Sequence, residues 1–327
     1  MVRLEAFIKK VADISEERDD QGNIVTIKAF RGVHDEHFEI YMNLVDKNKH
    51  LYEEVESINI SNSKITHVGM KAIQPLFFHP YHTQRLIVID VDLNLREMRR
   101  IVELISPQSF LQHLELSVAH SSSLPILCEA LCSPTCHIQT LSIDAGEEGR
   151  PEHMNDLALT MAQVITRNTS IHTLRIKHYR LSIDEVSPIA DALLQNKTIH
   201  TLELSHAHIA EPSVQLIIDA LGENTSLTHL NVRGNDIRNT NMFMDLLAQN
   251  HMIEDILVSY TQPRLYFKQA LSKNKQRKAI IRSNIQSLGI TIPSLATRLF
   301  RQLVWETKMN TPLPEILGIL SSLSKTS

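Results

Sequence analysis

The sequence predicts an α/β solenoid: strand-plus-helix units stacked side by side, parallel strands on the concave face and helices on the convex face. Three observations carry this expectation. An apolar motif returns at a nearly constant interval, a helix-like stretch follows each copy, and the two ends leave the pattern. The motif reads apolar-x-x-Leu-x-apolar. Its clearest copies begin at Val55, Leu111, Ile138, Ile171, Ile199 and Leu227, with weaker copies at Ile24, Thr83 and Ile253. The central residues are Ile27, Ile58, Leu86, Leu114, Leu141, Leu174, Leu202, Leu230 and Ile256, at successive spacings of 31, 28, 28, 27, 33, 28, 28 and 26. Four of the eight steps are 28, an interval that marks a repeat array rather than separate globular domains.

Helical periodicity follows the strands. Val186, Ile189, Ala190, Leu193 and Leu194 share one helix face after Ile183, and Val214, Ile217, Ile218 and Leu221 do so after Ile209. Asp184 and Glu211 mark the helix starts, with Pro188 and Pro212 expected in or near the first turn, where a missing N–H costs little. Asn196 and Asn224 fall where each helix should stop. One such unit cannot bury its own apolar face, so neighbouring units must stack into a continuous core.

The period and the strand-plus-full-helix unit resemble the ribonuclease-inhibitor class of leucine-rich repeats over roughly residues 20–275. That resemblance implies a horseshoe-shaped leucine-rich-repeat solenoid that binds other proteins. In the class, the fifth position after the central leucine is usually Asn or Cys. Here it is Ser63, Val91, Ala119, Gly146, Tyr179, Ala207 and Asn235, so only the last matches. The long repeat contains IDAGEEGRPEHMND, expected to form a protruding loop. Residues 1–50, with one faint strand and two helical stretches, are expected to be a cap that includes a degenerate repeat. Residues 51–275 are expected to form the solenoid, with the pattern continuing into the basic helix LYFKQALSKNKQRKAIIRS, and 276–327 a C-terminal helical cap or tail.

Composition narrows the function classes. Of 327 residues, 43% are hydrophobic and 21% charged, which suits a folded chain. A formal net charge of -4 points away from a nucleic-acid binder. No run of 18 apolar residues is present to span a bilayer. The N-terminus lacks the apolar core of a signal peptide. Three cysteines, an odd number, do not make a disulfide framework. A monomeric protein in a reducing cytosol is expected.

No catalytic or phosphate-loop motif occurs, and no cofactor or metal is expected. Cys128, Cys132 and Cys136 recur every four residues, but Pro134 should end the helix before the third, and they read as small buried hydrophobes. The seventeen histidines read mainly as polar surface. His178 and His206, one repeat apart, are expected to stack beside each other as a contact patch, with His208 close by and no aligned carboxylate evident.

Strand alternation sorts the candidate binding residues. If the central leucines point inward, the concave face carries Arg85, Ile87 and Ile89, then His113 and Glu115, then Asp144, Arg175, Lys177 and Glu203, and finally Asn231, Arg233, Asp255 and Leu257. The apolar run at 86–89 leaves two registers open, one with Ile87 and Ile89 outward and one with Leu86 and Val88 outward. Arg175, Lys177, His178 and Arg180 form a basic cluster between Asp144 and Glu203, and Tyr179 is its expected aromatic anchor.

In the tail, Ser294, Leu295, Leu299 and Leu303, followed by Thr311, Pro312, Leu313, Pro314 and Leu317, are similar to the box by which ubiquitin-ligase substrate receptors recruit Elongin C and a Cullin. That likeness implies a recruitment role for the tail; a helical cap over the last repeat is the alternative. The departures from repeat consensus resemble the leucine-rich-repeat effectors that intracellular bacteria deliver into host cytosol. The function expected is therefore a non-enzymatic module that holds a folded protein partner and inhibits or scaffolds it.

Overall fold

The nine central residues of the motif line up in a single row. In a computed structural model of the chain, which describes residues 14–29, 33–118, 121–145, 154–259 and 265–287, one ten-stranded sheet runs through the whole array. Its strands are β1 (Ile14–Arg18), β2 (Ile24–Ala29), β3 (Ser57–Asn59), β4 (Arg85–Val88), β5 (His113–Leu116), β6 (Thr140–Asp144), β7 (Thr173–Lys177), β8 (Thr201–Glu203), β9 (His229–Asn231) and β10 (Asp255–Leu257). They lie in sequence order, parallel from β2 onward. Ile27, Ile58, Leu86, Leu114, Leu141, Leu174, Leu202, Leu230 and Ile256 pair as neighbours across it, and all nine are buried. The 86–89 segment takes the register with Leu86 and Val88 inside and Ile87 and Ile89 facing out.

Helices return the chain between strands: α1 (Asp35–Lys47), α2 (His67–Ile73), α3 (Leu95–Glu103), α4 (Leu124–Leu131), α5 (Met154–Arg167), α6 (Ile183–Gln195), α7 (Glu211–Glu223) and α8 (Asn241–Gln249). A last helix, α9 (Leu265–Ser287), follows β10. Neighbouring strands sit about 4.8 Å apart and packed helices roughly 8–10 Å apart. The helical layer is therefore the wider one, and the sheet curls toward its open side. This is a leucine-rich-repeat solenoid of the α/β class.

Local chemistry explains several element ends. Ser182 and Glu185 form a reciprocal capping box at the start of α6, with the Ser182 N–H donating to Glu185 Oε2 at 2.6 Å. Pro212 lies in the first turn of α7 as expected. Pro188 does not: it sits inside α6, where its ring removes the N–H that would serve the Asp184 carbonyl.

Residues 14–18, in the cap expected to hold one faint strand, add a second one, antiparallel and hairpinned to β2. The tight turn decides it. Asp19 Oδ1 accepts the Gln21 and Asn23 N–H groups at 2.9 Å each, and Gly22 takes φ +89, which glycine reaches without steric cost. Glu16 on β1 then receives the hydroxyls of Tyr41 at 2.9 Å and Tyr52 at 2.8 Å. Burial first pushes both phenols up from their ordinary range, followed by Tyr52 and then Glu16 for Tyr41, and by Glu16 for Tyr52.

Where α5, α6, α7 and α8 return to a strand, one side chain recurs. The Asn168, Asn196, Asn224 and Asn250 amides donate to the Leu131, Ile165, Leu193 and Leu221 carbonyls of the preceding coil, each at 2.6 Å. Each Oδ1 turns back to its own coil and accepts one or two of its backbone N–H groups. A buried ladder of amides thus satisfies carbonyls that would otherwise be stranded away from water. Asn274 of α9 extends it, donating to Ile253 O at 2.9 Å. The fully buried Lys278 ammonium beside it donates to Met252 O at 2.9 Å and pairs with Glu254.

The protruding loop expected within 143–156 and the recruitment box expected at 294–317 fall largely or wholly outside the described residues.

Candidate functional site

Side chains one residue before, one after and three after each central residue point away from the core, and these three rows form the concave surface. On the middle strands, small residues let long side chains lie flat across the sheet. Lys177 on β7 reaches past Ser142 on β6 to Glu115 on β5, with Nζ 3.1 Å from Glu115 Oε1 and 3.2 Å from Asp144 Oδ2. Ser142 Oγ donates to the same Glu115 oxygen at 3.3 Å. Burial alone would lower the Lys177 pKa, but Glu115 and then Asp144 outweigh it and hold the ammonium above its ordinary range. One strand further on, Arg175 pairs with Glu203 at 3.1 Å, and Ser205 Oγ donates to Glu203 at 2.8 Å.

The edge where strand gives way to helix carries the histidines. The fourth residue after the central one is left-handed in five repeats: Asn62 (φ 60), Asp90 (φ 55), His178 (φ 60), His206 (φ 53) and Gly234 (φ 73). Glycine, asparagine, aspartate and histidine are the residues that tolerate this region best. The His178 and His206 rings stack with centroids 5.3 Å apart, as the one-repeat spacing predicts. The His206 ring lies so close to Gly234 that a Cβ there would fall 2.3 Å from it.

Three expectations are corrected. Asp144 is aligned with the histidine pair after all: its Oδ1 lies 2.8 Å from His178 Nδ1. It is also buried, so it holds Lys177 and His178 in place rather than meeting a partner. Tyr179 is no surface anchor. Like Val91, Ala207 and Asn235, it occupies the fifth position, where the backbone has turned the side chain into the core; its hydroxyl is 3.4 Å from Val118 O. The basic cluster does not act as a unit, because Arg175 and Lys177 each answer separate carboxylates.

The remaining candidates stand on the surface. Arg85, His206 and Arg233 are exposed, while Ile87, Ile89, His113, Glu115, Arg175, Lys177, His178, Glu203, Asn231, Asp255 and Leu257 are half-buried. Asn231 Oδ1 accepts the Arg233 N–H at 3.1 Å, fixing the backbone there. His113 is held below its ordinary value by burial first, then by Arg85 and Arg175. Sequence reasoning missed the Glu115–Lys177 contact, which spans two repeats, and the amide ladder. The recurring Asn at 28-residue spacing, in 168, 196 and 224, was the available signal for the ladder.

Among the described residues no group of three His, Cys, Asp or Glu side chains is placed to hold a metal ion. Cys128 and Cys136 are buried, and Cys132 caps α4 with its Sγ 3.9 Å from that of Cys128. Burial, then Cys128, pushes the Cys132 thiol up to about 11, which keeps it protonated at neutral pH. No helix among the described residues is long and apolar enough to cross a membrane.

No known protein family matches the chain, and no curated protein matches it in sequence. Among solved structures it is similar to the actin-binding site 2 of leiomodin-1, with 21% identity and a TM-score of 0.44 over 52% of this chain and 99% of that one. It is also similar to internalin C2 of Listeria monocytogenes, with 14% identity and a TM-score of 0.36 over 72% of this chain and 81% of that one. The repeat motif and the strand register by themselves define the leucine-rich-repeat class.

Proposed function

We propose that the chain is a non-catalytic module, of the ribonuclease-inhibitor-like kind of leucine-rich repeat, that holds a folded protein partner against its concave face. The observation that supports this reading is the state of the outward side chains. Glu115, Lys177, Asp144 and His178 brace one another, as do Arg175, Glu203 and Ser205, while Ile87 and Ile89 stand half-exposed beside them. Side chains already held in one geometry lose little entropy on binding, and aliphatic residues on an otherwise polar face supply the apolar burial. The amide ladder ties the coils of Asn196, Asn224 and Asn250 each to the one before it. The resemblance to bacterial effectors extends the proposal to a monomer working in host cytosol, where occupying a partner's working surface inhibits or scaffolds it.

The test is affinity capture with three proteins: wild type, Ile87→Asp with Ile89→Asp, and Leu159→Asp on the convex helix α5, where Leu159 is already 54% exposed. A captured protein that survives the convex change and disappears with the concave pair supports the reading. Loss through the convex change alone moves the binding face to the helices and sinks it.

A further inference from the structure

The charges on the outward rows divide the concave face into a self-paired middle and two ends. In the middle, from β5 to β8, the carboxylates of Glu115, Asp144 and Glu203 are met by Lys177, His178 and Arg175. Drawing any of these charges into a partner contact first breaks a pair, which leaves its mate unanswered and offsets the gain. At the β4 end, Arg85 is exposed and has no ion pair among the described residues, and Ile87 and Ile89 follow it along the same strand. At the other end Arg233 is equally exposed and has no ion pair among the described residues; it stands two residues after Asn231, the neighbour of half-buried Leu257 on strand β10. Asp255, the unpaired carboxylate of these rows among the described residues, lies at the opposite end of its strand from Leu257, next to His229.

We infer that the concave face grips its partner at two points, each a guanidinium beside aliphatic side chains, and that the partner offers two carboxylates, each beside an aliphatic residue. This inference rests on the proposal that the face binds protein, and names the chemistry of what it binds. An arginine that has no internal carboxylate gains a charge-assisted, bidentate pair on binding, and an adjoining leucine or isoleucine excludes water from it. Five strand steps separate β4 from β9, about 24 Å across the sheet, and Arg233 stands four positions further along its coil than Arg85, so the two residues lie about 27 Å apart. About seven steps of an extended partner segment, with the reach of its two carboxylate side chains, cover that distance.

The probe is the blocked peptide Glu-Leu-Gly-Ser-Gly-Ser-Leu-Glu, with a second version carrying Lys in place of both Glu. Each is titrated into the full chain labelled at its isoleucine and leucine methyls, followed by NMR. The expected result is that the acidic peptide shifts the Ile87, Ile89 and Leu257 methyls, and that the basic peptide leaves them in place. Arg85→Glu with Arg233→Glu, both at exposed positions, should weaken the acidic peptide by about tenfold or more, the loss expected for removing one charged hydrogen bond or more. Leu159→Asp, on the exposed convex side of α5, should leave its affinity within about twofold, a much smaller loss than that of one charged hydrogen bond. Equal shifts from both peptides would show a face that binds without charge preference; the two-point inference then falls while the protein-binding reading stands. Weakening by Lys177→Met rather than by the arginine changes would return the binding centre to the middle strands and overturn the inference. Shifts confined to convex methyls such as Leu159 would count against both.

Discussion

The two edges of the sheet solve the same problem in different ways. Where helix returns to strand, a side chain does the work: Asn168, Asn196, Asn224 and Asn250 each bridge to the preceding coil, so the residue type repeats. Where strand leaves for helix, the backbone does it. The left-handed turn recurs at Asn62, Asp90, His178, His206 and Gly234 while the side chain changes each time. At these four coils the amide bonds leave little room for variation, because each replacement strands several buried groups at once. An edge held by conformation asks only for tolerance of positive φ, and its side chains are left for the surface. The histidines of this edge are thus partly explained before any function is invoked.

The sharpest way to break this comparison is Asn224→Ala. Its amide donates to Leu193 O at 2.6 Å and Asn196 O at 3.0 Å, and its Oδ1 accepts the Ser226 and Leu227 N–H groups at 2.9 and 2.8 Å. The expected loss is about 3 kcal/mol in urea unfolding, as for other buried polar networks left unsatisfied. A loss below about 1 kcal/mol, the worth of a single ordinary hydrogen bond, would put the two edges on equal terms. Gly234→Ala comes next, at about 1–2 kcal/mol, since it forces a side chain into positive φ and against the His206 ring. Adding His206→Ala should recover part of that cost, the part due to the clash; no recovery would place all of the cost in the backbone.

His178→Asn should be nearly neutral, within about 0.5 kcal/mol, because asparagine also accepts the left-handed turn. A substantial loss would mean that the ring stack and the Asp144 contact matter more to the fold than the turn does. The smallest effect concerns pH. The folded His113 pKa lies below its ordinary 6.5, so above 6.5 the ring is neutral folded or unfolded and stability is unaffected. As the pH falls below 6.5 the unfolded chain takes up the proton first, and stability declines toward the folded value. His113→Gln should therefore flatten the stability profile as the pH falls below His113's ordinary 6.5, and an unchanged slope would assign the acid loss to other groups.

Much of the scaffold was legible because burial acts on every repeat alike. The central residues identify the core row, and the ambiguity at 86–89 is resolved by neighbours, since Leu86 can pair with Ile58 and Leu114 only with Ile87 turned outward. The surface was less legible. Tyr179 looked like an anchor because it follows a basic stretch, yet the turn that begins at His178 rotates it inward. The contact between Glu115 and Lys177 joins residues 62 apart, and no local pattern says which long side chain will cross a neighbouring strand. Asn196 and Asn224 were legible as helix ends; that the same amides also clamp the coil before them emerges only when the coils are stacked.

Asn274 and Lys278 decide how this array ends. The coils of Leu131, Ile165, Leu193 and Leu221 leave carbonyls that the next coil's asparagine takes up, so a bare coil after them would be an invitation to polymerise end to end with another molecule. Here α9 fills that vacancy with its own amide and with an ammonium whose charge is answered by Glu254. The helix is in effect a stop codon written in hydrogen bonds: further coils can be appended only by first expelling a buried charge.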